Sequence, residues 1–340
     1  MSPVAVSSEK TEVRPPNIIL ILADDLGYGG IGVQGCTDIP TPHIDSIAKA
    51  GVRCTQAYMS WPACNPSRAA LLTGRYHERF GFEINPADAS VAPPNYGIPR
   101  NVPTIAEQLK QAGYATAIYG KYALGFREDQ KPLARGFEEF FGFLEAGFDY
   151  LPEEIDRRAG RRKLLRGDTP IQETEYLTDA LARECVAFVD RHKDQPFFVY
   201  FSPNAVHGPL QADEERLRRF AHIAEKNRRI HAAMVVALDD AVGRILKSLR
   251  DNGLENNTLV VFTSDNGGPT ANTTSSNAPL RGVKGSLQEG GIRVPCLIQW
   301  PKHIPAGQVF EQPMISMDLT RTMLAAAGDN LEQSATDGIN

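Results

Sequence analysis

No apolar run in this chain approaches the roughly 18 residues that a membrane-spanning helix needs. The densest early one, Ile18 to Ala23, stops at Asp24 and Asp25 and reads as a strand. The segment before it, M-S-P-V-A-V-S-S-E-K-T-E-V-R-P-P, has no hydrophobic region and no cleavage box, so no signal peptide is visible. The expectation for location stays open between a cytoplasmic protein and an exported one whose signal has been removed. Charge of one sign is also scarce: 36 Lys and Arg stand against 41 Asp and Glu, a formal net charge of −5. Without a basic stripe, nucleic acid is not an expected partner. The five cysteines, Cys36, Cys54, Cys64, Cys185 and Cys296, make neither a C-x-x-C pair nor a dense framework, which excludes a disulfide scaffold. A Cys36 to Cys54 disulfide is conceivable in an exported protein, and the odd count leaves at least one thiol unpaired.

What is present is enough chain, 340 residues, to bury roughly three quarters of its unfolded surface. One main domain is expected. Short apolar runs begin at Asn17, Ala115, Pro196, Thr258 and Val294, with helical patterns at Val102 to Ala112, Tyr176 to Val189 and Arg229 to Leu249 between them. Runs buried on both faces belong in a parallel or mixed sheet covered by helices, an α/β sandwich. In such folds ligand-binding groups lie just beyond the carboxyl ends of the strands. The pattern lapses from about 142 to 172, which reads as a surface excursion. Its Arg157, Arg158, Arg161, Arg162 and Lys163 are either a solvated face or a rim that meets an anionic substrate.

Two acids, Asp24 and Asp25, follow the first strand at once, and S-D-N-G-G, with Asp265 and Asn266, follows the run from Thr258. Adjacent carboxylates repel unless a cation, a proton or donors neutralise them. Alone, each pair is equally readable as an Asx-turn or helix cap. Together they form an all-oxygen set suited to Ca²⁺ or Mg²⁺. Cys64 sits just before a helix start, with Pro66 and Ser67 in its opening turn, where backbone N–H groups favour an anion. It is readable as a buried structural cysteine or as a cysteine nucleophile. Arg68, four residues on, faces the same side of that helix.

The twelve residues from Cys64 to Arg75, C-N-P-S-R-A-A-L-L-T-G-R, resemble the signature of the type I sulfatases, with matches at Cys64, Pro66, Ser67, Arg68, Leu72, Thr73, Gly74 and Arg75. The resemblance implies that Cys64 is oxidised to formylglycine by a formylglycine-generating enzyme and hydrated to a diol. One diol oxygen attacks sulfur and the other expels sulfate from a covalent sulfate hemiester. It implies one divalent cation, Ca²⁺ first and Mg²⁺ second, on Asp24, Asp25, Asp265, Asn266 and the converted Cys64, with Arg68 pinning the diol or neutralising the carboxylates. It implies an alkaline-phosphatase-like sandwich, with a large mixed, mostly parallel sheet flanked by helices.

Three further segments extend the resemblance. I-Y-G-K-Y-A-L-G from Ile118 is similar to the family's G-K-W-H-L-G, placing Lys121 on a sulfate oxygen. Ala123 stands where the family has a histidine that deprotonates the formylglycine for sulfate release, and Tyr122 replaces its tryptophan. S-P-N-A-V-H-G-P-L-Q from Ser202 places His207 where the family binds substrate and helps the alcohol leave, and P-L-R-G-V-K-G-S-L-Q-E-G-G-I-R-V-P from Pro279 places Lys284 on a sulfate oxygen. His43 and His77 are not obvious replacements for the missing base. The wording leans toward arylsulfatases and N-acetylgalactosamine-6-sulfatase-like members. Residues 1–16 are then a flexible segment and 17–340 the catalytic domain, with the small C-terminal subdomain of the family absent. The expected substrate is a small sulfated alcohol, phenol or sugar. Two rival readings stand beside it: a phosphate or phosphonate monoester hydrolase on the same scaffold, and a weakly active or inactive sulfate-binding homologue, as Ala123 suggests.

Overall fold

The computed structural model describes residues 14–158, 162–328 and 335–340. Most of the segment expected to be flexible, residues 1–13, lies outside the described residues, as do Arg161 and the side chain of Arg158. Among the described residues twelve strands run in chain order: β1 (Asn17–Ala23), β2 (Val52–Cys54), β3 (Ala57–Tyr58), β4 (Ala115–Lys121), β5 (Glu139–Phe143), β6 (Leu164–Arg166), β7 (Thr169–Ile171), β8 (Phe197–Ser202), β9 (Thr258–Ser264), β10 (Cys296–Gln299), β11 (Gln308–Phe310) and β12 (Met314–Ile315). Ten of them form one sheet in the order β11-β2-β10-β9-β1-β8-β4-β5-β6-β7. Its centre, from β9 through β1, β8 and β4 to β5, is parallel. β10 pairs antiparallel with β9 and with β2, and β6 and β7 add an antiparallel hairpin at the far edge. Part of the stretch from 142 to 172 is thus sheet.

The helices are α1 (Pro42–Ala50), α2 (Cys64–Thr73), α3 (Ile105–Gln111), α4 (Pro152–Arg158), α5 (Leu177–Arg191), α6 (Glu214–Arg219), α7 (Lys226–Asp251), α8 (Thr270–Thr273), α9 (Glu289–Ile292) and α10 (Ser316–Ala326). Every residue of β1 is buried, and alternation sorts them: Ile19 and Ile21 join the apolar layer under α5 and α7, while Ile18, Leu20 and Leu22 join the layer under α2, α3 and α10. A central strand covered on both faces disfavours charged side chains along its middle, where no water reaches to solvate them. This is why the first acids come immediately after Ala23.

Local signals set the helix ends. Thr104 and Glu107 make a reciprocal capping box at α3, and Gly113 just beyond takes φ +87, the left-handed stop that glycine tolerates. The Glu225 carboxylate caps α7, accepting from Asn227 and Arg228 N–H. α1 has no cap of its own; the Asp239 carboxylate on α7 accepts from the His43 and Ile44 N–H groups, at 3.2 and 2.7 Å. His43 is thereby a helix-start residue of α1.

His231 on α7 is buried, and neither ring nitrogen has a hydrogen-bond partner among the described residues. Burial, reinforced by Arg228 and opposed by Asp38, lowers its pKa from 6.5 to about 3. Below pH 6.5 the unfolded chain protonates this ring while the folded chain does not, so stability that is full above 6.5 is lost as pH falls toward 3. At pH 4.5 the loss is on the order of 3 kcal/mol. Urea unfolding at pH 7 and 4.5 is expected to show a smaller difference between the two pH values for His231→Leu than for the parent.

Candidate active site

The carboxyl ends of β1, β4, β8 and β9 converge on the N-terminus of α2. Asp24 and Asp25 leave β1 in a backbone stitched to the segment after β8: Asp24 N–H donates to Ala205 O at 2.9 Å, and Val206 N–H to Asp24 O at 2.7 Å. Asp25 takes φ +63, a left-handed conformation uncommon outside glycine and typical of functional turns. Its N–H donates to Asp265 Oδ1 at 3.1 Å, tying the two strand ends together. Ser67 on α2 donates to Asp265 O at 2.6 Å. Thr73 ends α2 and Gly74 caps it at φ +66.

Cys64 is the first residue of α2 and is 1% exposed. Its Sγ lies 3.5 Å from Asp24 Oδ1 and 3.2 Å from Lys284 Nζ. Arg68 places Nε and Nη2 each 2.8 Å from Asp265 Oδ2, with Asp24 Oδ2 3.6 Å away, and its Nη1 donates to Ser202 Oγ. Lys121 Nζ is 2.7 Å from Asp24 Oδ2, and Lys284 Nζ is 2.7 Å from Asp25 Oδ1. Three carboxylates thus meet three cations in a largely buried site.

Burial alone would raise Asp24, but Lys121, His207 and Arg68 bring it down to about 2. Burial alone would lower Lys284, yet Cys64, Asp25, Asp24 and Asp265 hold it above its ordinary value. For Cys64 burial dominates, and with Asp265 and Asp24 it outweighs Lys121 and Lys284, so the thiol is pushed up to about 12. An unmodified Cys64 is therefore a protonated thiol at neutral pH, a weak nucleophile.

The donors fit a hard divalent cation. Asp24, Asp25, Cys64 and His207 each present one ligand atom within 4.8 Å of the others. Asn266 is fully buried, and its Nδ2 donates to Asp25 Oδ1 and Gly267 O. Its Oδ1 has no hydrogen-bond partner among the described residues. An orphaned buried amide oxygen is costly unless something positive sits on it. Beside carboxylates, that points to an oxygen-coordinated cation.

His207 stands on the loop after β8, with Nε2 3.7 Å from Asp25 Oδ2. Its Nδ1 is 2.6 Å from Gly208 O; a carbonyl only accepts, so Nδ1 carries a proton and Nε2 is the atom that can exchange one. This loop is clamped by the segment after β5. The buried Tyr150 hydroxyl faces the carbonyls of Asn204 and His207, and Asn204 Nδ2 donates to Phe148 O at 2.9 Å. A Cβ on Gly147 would stand 3.1 Å from His207 Cε1, and Arg162 Nη1 donates to Gly147 O at 3.0 Å. Of the basic residues read as either a solvated face or a rim, Arg162 braces the Gly147 carbonyl beside His207, while Arg157 pairs with Glu154.

Tyr150→Phe is expected to loosen His207 without removing it. An ester whose alcohol needs a proton to depart should lose about tenfold or more in kcat, while one with a stable phenolate leaving group changes little. Comparing kcat on a sugar sulfate and a nitrophenyl sulfate checks this. Equal losses on both would mean Tyr150 is only structural.

Lys284 is delivered by a loop whose Gly282 and Gly285 take φ +101 and +84, conformations that a side chain would strain. Asn277 braces that loop, donating to Gly268 O and Gly282 O. Gly290 and Gly291 lie in the short helix α9. Arg293 pairs with Glu289 at 3.0 Å and covers the Tyr28 ring, a structural role, and Arg75 binds Ala335 O on the C-terminal segment.

Ala123 is fully buried at φ +57. Its carbonyl accepts from Tyr96 OH at 2.9 Å, and that hydroxyl accepts from Asn65 Nδ2 at 2.7 Å. His77 packs on Trp61 and pairs with Glu78. Tyr96, Tyr150 and Ser202 are not singled out by the sequence; of these Ser202 alone carries a signal, as the polar residue that closes an apolar strand.

The sulfatase family pattern matches residues 16–329. The chain is 37% identical to N-acetylgalactosamine-6-sulfatase of Sus scrofa over 350 residues, covering 96% of this chain and 65% of that protein. It is 33% identical to human arylsulfatase A, covering 99% and 69%. The chain thus spans about two thirds of these relatives' length. Among solved structures, Ps i-CgsB superposes with a TM-score of 0.91 at 42% identity, covering 96% of this chain and 75% of that one. Ps i-CgsB has also been solved in complex with k-i-k-neocarrahexaose.

Proposed function

The chain belongs to the sulfatase family, with its alkaline-phosphatase-like fold, and from that premise we propose that it hydrolyses a sulfate monoester to an alcohol and sulfate, with Cys64 matured to formylglycine. The observation that carries the reading is the position of Cys64 Sγ, the head of the C-N-P-S-R motif, between Lys284 Nζ at 3.2 Å and Asp24 Oδ1 at 3.5 Å. A sulfated sugar is the substrate class favoured here, because one relative is named for N-acetylgalactosamine 6-sulfate and one structural neighbour binds an oligosaccharide.

A divalent cation, Ca²⁺ first and Mg²⁺ second, fits Asp24, Asp25, Asp265 and Asn266 with the side chain at 64, and when bound it supplies charge that makes an anionic nucleophile accessible. Formylglycine, installed by a formylglycine-generating enzyme, supplies a hydroxyl nucleophile and a second hydroxyl that spares water from attacking sulfur. Lys121 and Lys284 take the sulfate oxygens, moving positive charge to where the transition state gathers negative charge. Arg68 holds Asp265 and Asp24 in place. His207 keeps Nδ1–H on Gly208 O and gives the Nε2 proton to the departing ester oxygen.

Ala123 offers no proton acceptor for sulfate release, and that residue favours a second reading, a sulfate-binding or weakly active homologue. A phosphate or phosphonate esterase is the remaining rival, since the same cations attract any tetrahedral oxyanion. kcat/KM on matched aryl sulfate and phosphate, with the metal-loaded and formylglycine-bearing protein, separates them. Sulfate is expected to be preferred; a phosphate preference would install the rival.

A further inference from the structure

Cys54 ends β2 and Cys296 opens β10, and the antiparallel register sets them directly opposite one another. Opposed residues in such a pair have Cα atoms about 4.5–5.5 Å apart, inside the span of about 4.4–6.8 Å that a disulfide requires. Both side chains turn into the apolar layer under α2 and α10, and both are buried, at 2% and 0% exposure. The expectation of a Cys36 to Cys54 bridge gives way to this geometry: Cys36 lies beside Asp38 and Arg228. Cys185 sits in the opposite apolar layer, and Cys64 in the active site.

We propose that Cys54 and Cys296 are a disulfide-forming pair, closed by exchange with a small-molecule or protein disulfide. The Cys54 thiolate attacks one sulfur of the oxidant and breaks its S–S bond, and the released thiolate takes up the proton from Cys54. The Cys296 sulfur then attacks Cys54 in the mixed disulfide, and the second oxidant thiol leaves with the Cys296 proton. Two protein thiols lose two electrons and one oxidant disulfide becomes two thiols. Cys54 goes first because its strand β2 pairs directly with the edge strand β11, whereas β10 lies one strand further in. Access comes from the sheet edge: Phe310, on the fully exposed edge strand β11, is the register partner of Cys54. Lifting three edge residues is a small local opening.

The bond would enclose every active-site segment from Cys64 to Lys284. It would also fasten β10 at the point where Cys296 faces Thr263, two residues before Asp265. Stability rather than chemistry should respond. The test incubates the reduced, folded protein with oxidised glutathione, alkylates free thiols during unfolding and maps the peptides. The expected result is a peptide pair joined through Cys54 and Cys296, lighter by two hydrogens, and a thermal midpoint raised by a few degrees. Cys54→Val and Cys296→Val should each remove the joined pair and the oxidant-dependent shift. Because each variant is compared with itself with and without oxidant, altered packing does not obscure the result. Recovery of both cysteines fully alkylated, or of Cys54 joined to another cysteine, would overturn the proposal. None of these readouts depends on sulfate hydrolysis.

Discussion

Asp265→Ala is expected to abolish tight divalent-cation binding and to lower kcat/KM on a sulfate ester by about 10³-fold. The substitution removes a charged oxygen donor from the cluster and the carboxylate held at 2.8 Å by two nitrogens of the fully buried Arg68. Stranding a buried charge in this way costs about 3–5 kcal/mol, and each 1.4 kcal/mol lost from the transition state is tenfold in rate. Asp265→Asn keeps the shape and one oxygen, so it guards against a simple failure to fold. It should stay folded and still bind the ion weakly. Calorimetric titration of chelator-treated protein with Ca²⁺ reads the effect. Binding as tight as the parent's in both variants would show that the cation does not sit at these strand ends.

Ala123→His is the second large effect, and it is a gain. Position 123 follows β4 by two residues, with its carbonyl fixed by Tyr96 and φ at +57. Histidine is among the residues that adopt this region more readily than alanine does. A positioned general base contributes about 10²- to 10⁴-fold to the step it serves. If sulfate release limits the parent, rapid kinetics on a nitrophenyl sulfate should show a burst of phenolate followed by slow turnover. The variant should abolish the burst and run at a faster steady rate. No gain, together with no turnover by either metal-loaded, formylglycine-bearing protein, would favour the sulfate-binding reading.

Much of this site is legible in the chain because each strand that builds it is buried on both faces, so the first polar residues after it must be doing something other than packing. That signal marks Asp24, Asp25, Asp265 and Asn266, the family resemblance marks His207, and the structure brings them together with Cys64, Arg68, Lys121 and Lys284. The parallel core of the sheet follows from the same apolar runs. What the chain hides are contacts between segments far apart in sequence. Tyr150 reads as one aromatic in an irregular stretch until its hydroxyl is seen against two carbonyls of the His207 loop. The β6–β7 hairpin escaped notice because its strands have three residues each, too few for a period to register. The facing of Cys54 and Cys296 is hidden in the same way, since register, rather than spacing along the chain, decides which cysteines oppose one another.

Peptide mapping of position 64, in protein produced together with a formylglycine-generating enzyme, tests the central claim most directly. The account predicts that Cys64 is replaced by formylglycine and that the fraction converted sets the amount of sulfate released from a sulfate ester. A position 64 that remains entirely cysteine in such a preparation would contradict it, as would sulfate release that is independent of the converted fraction.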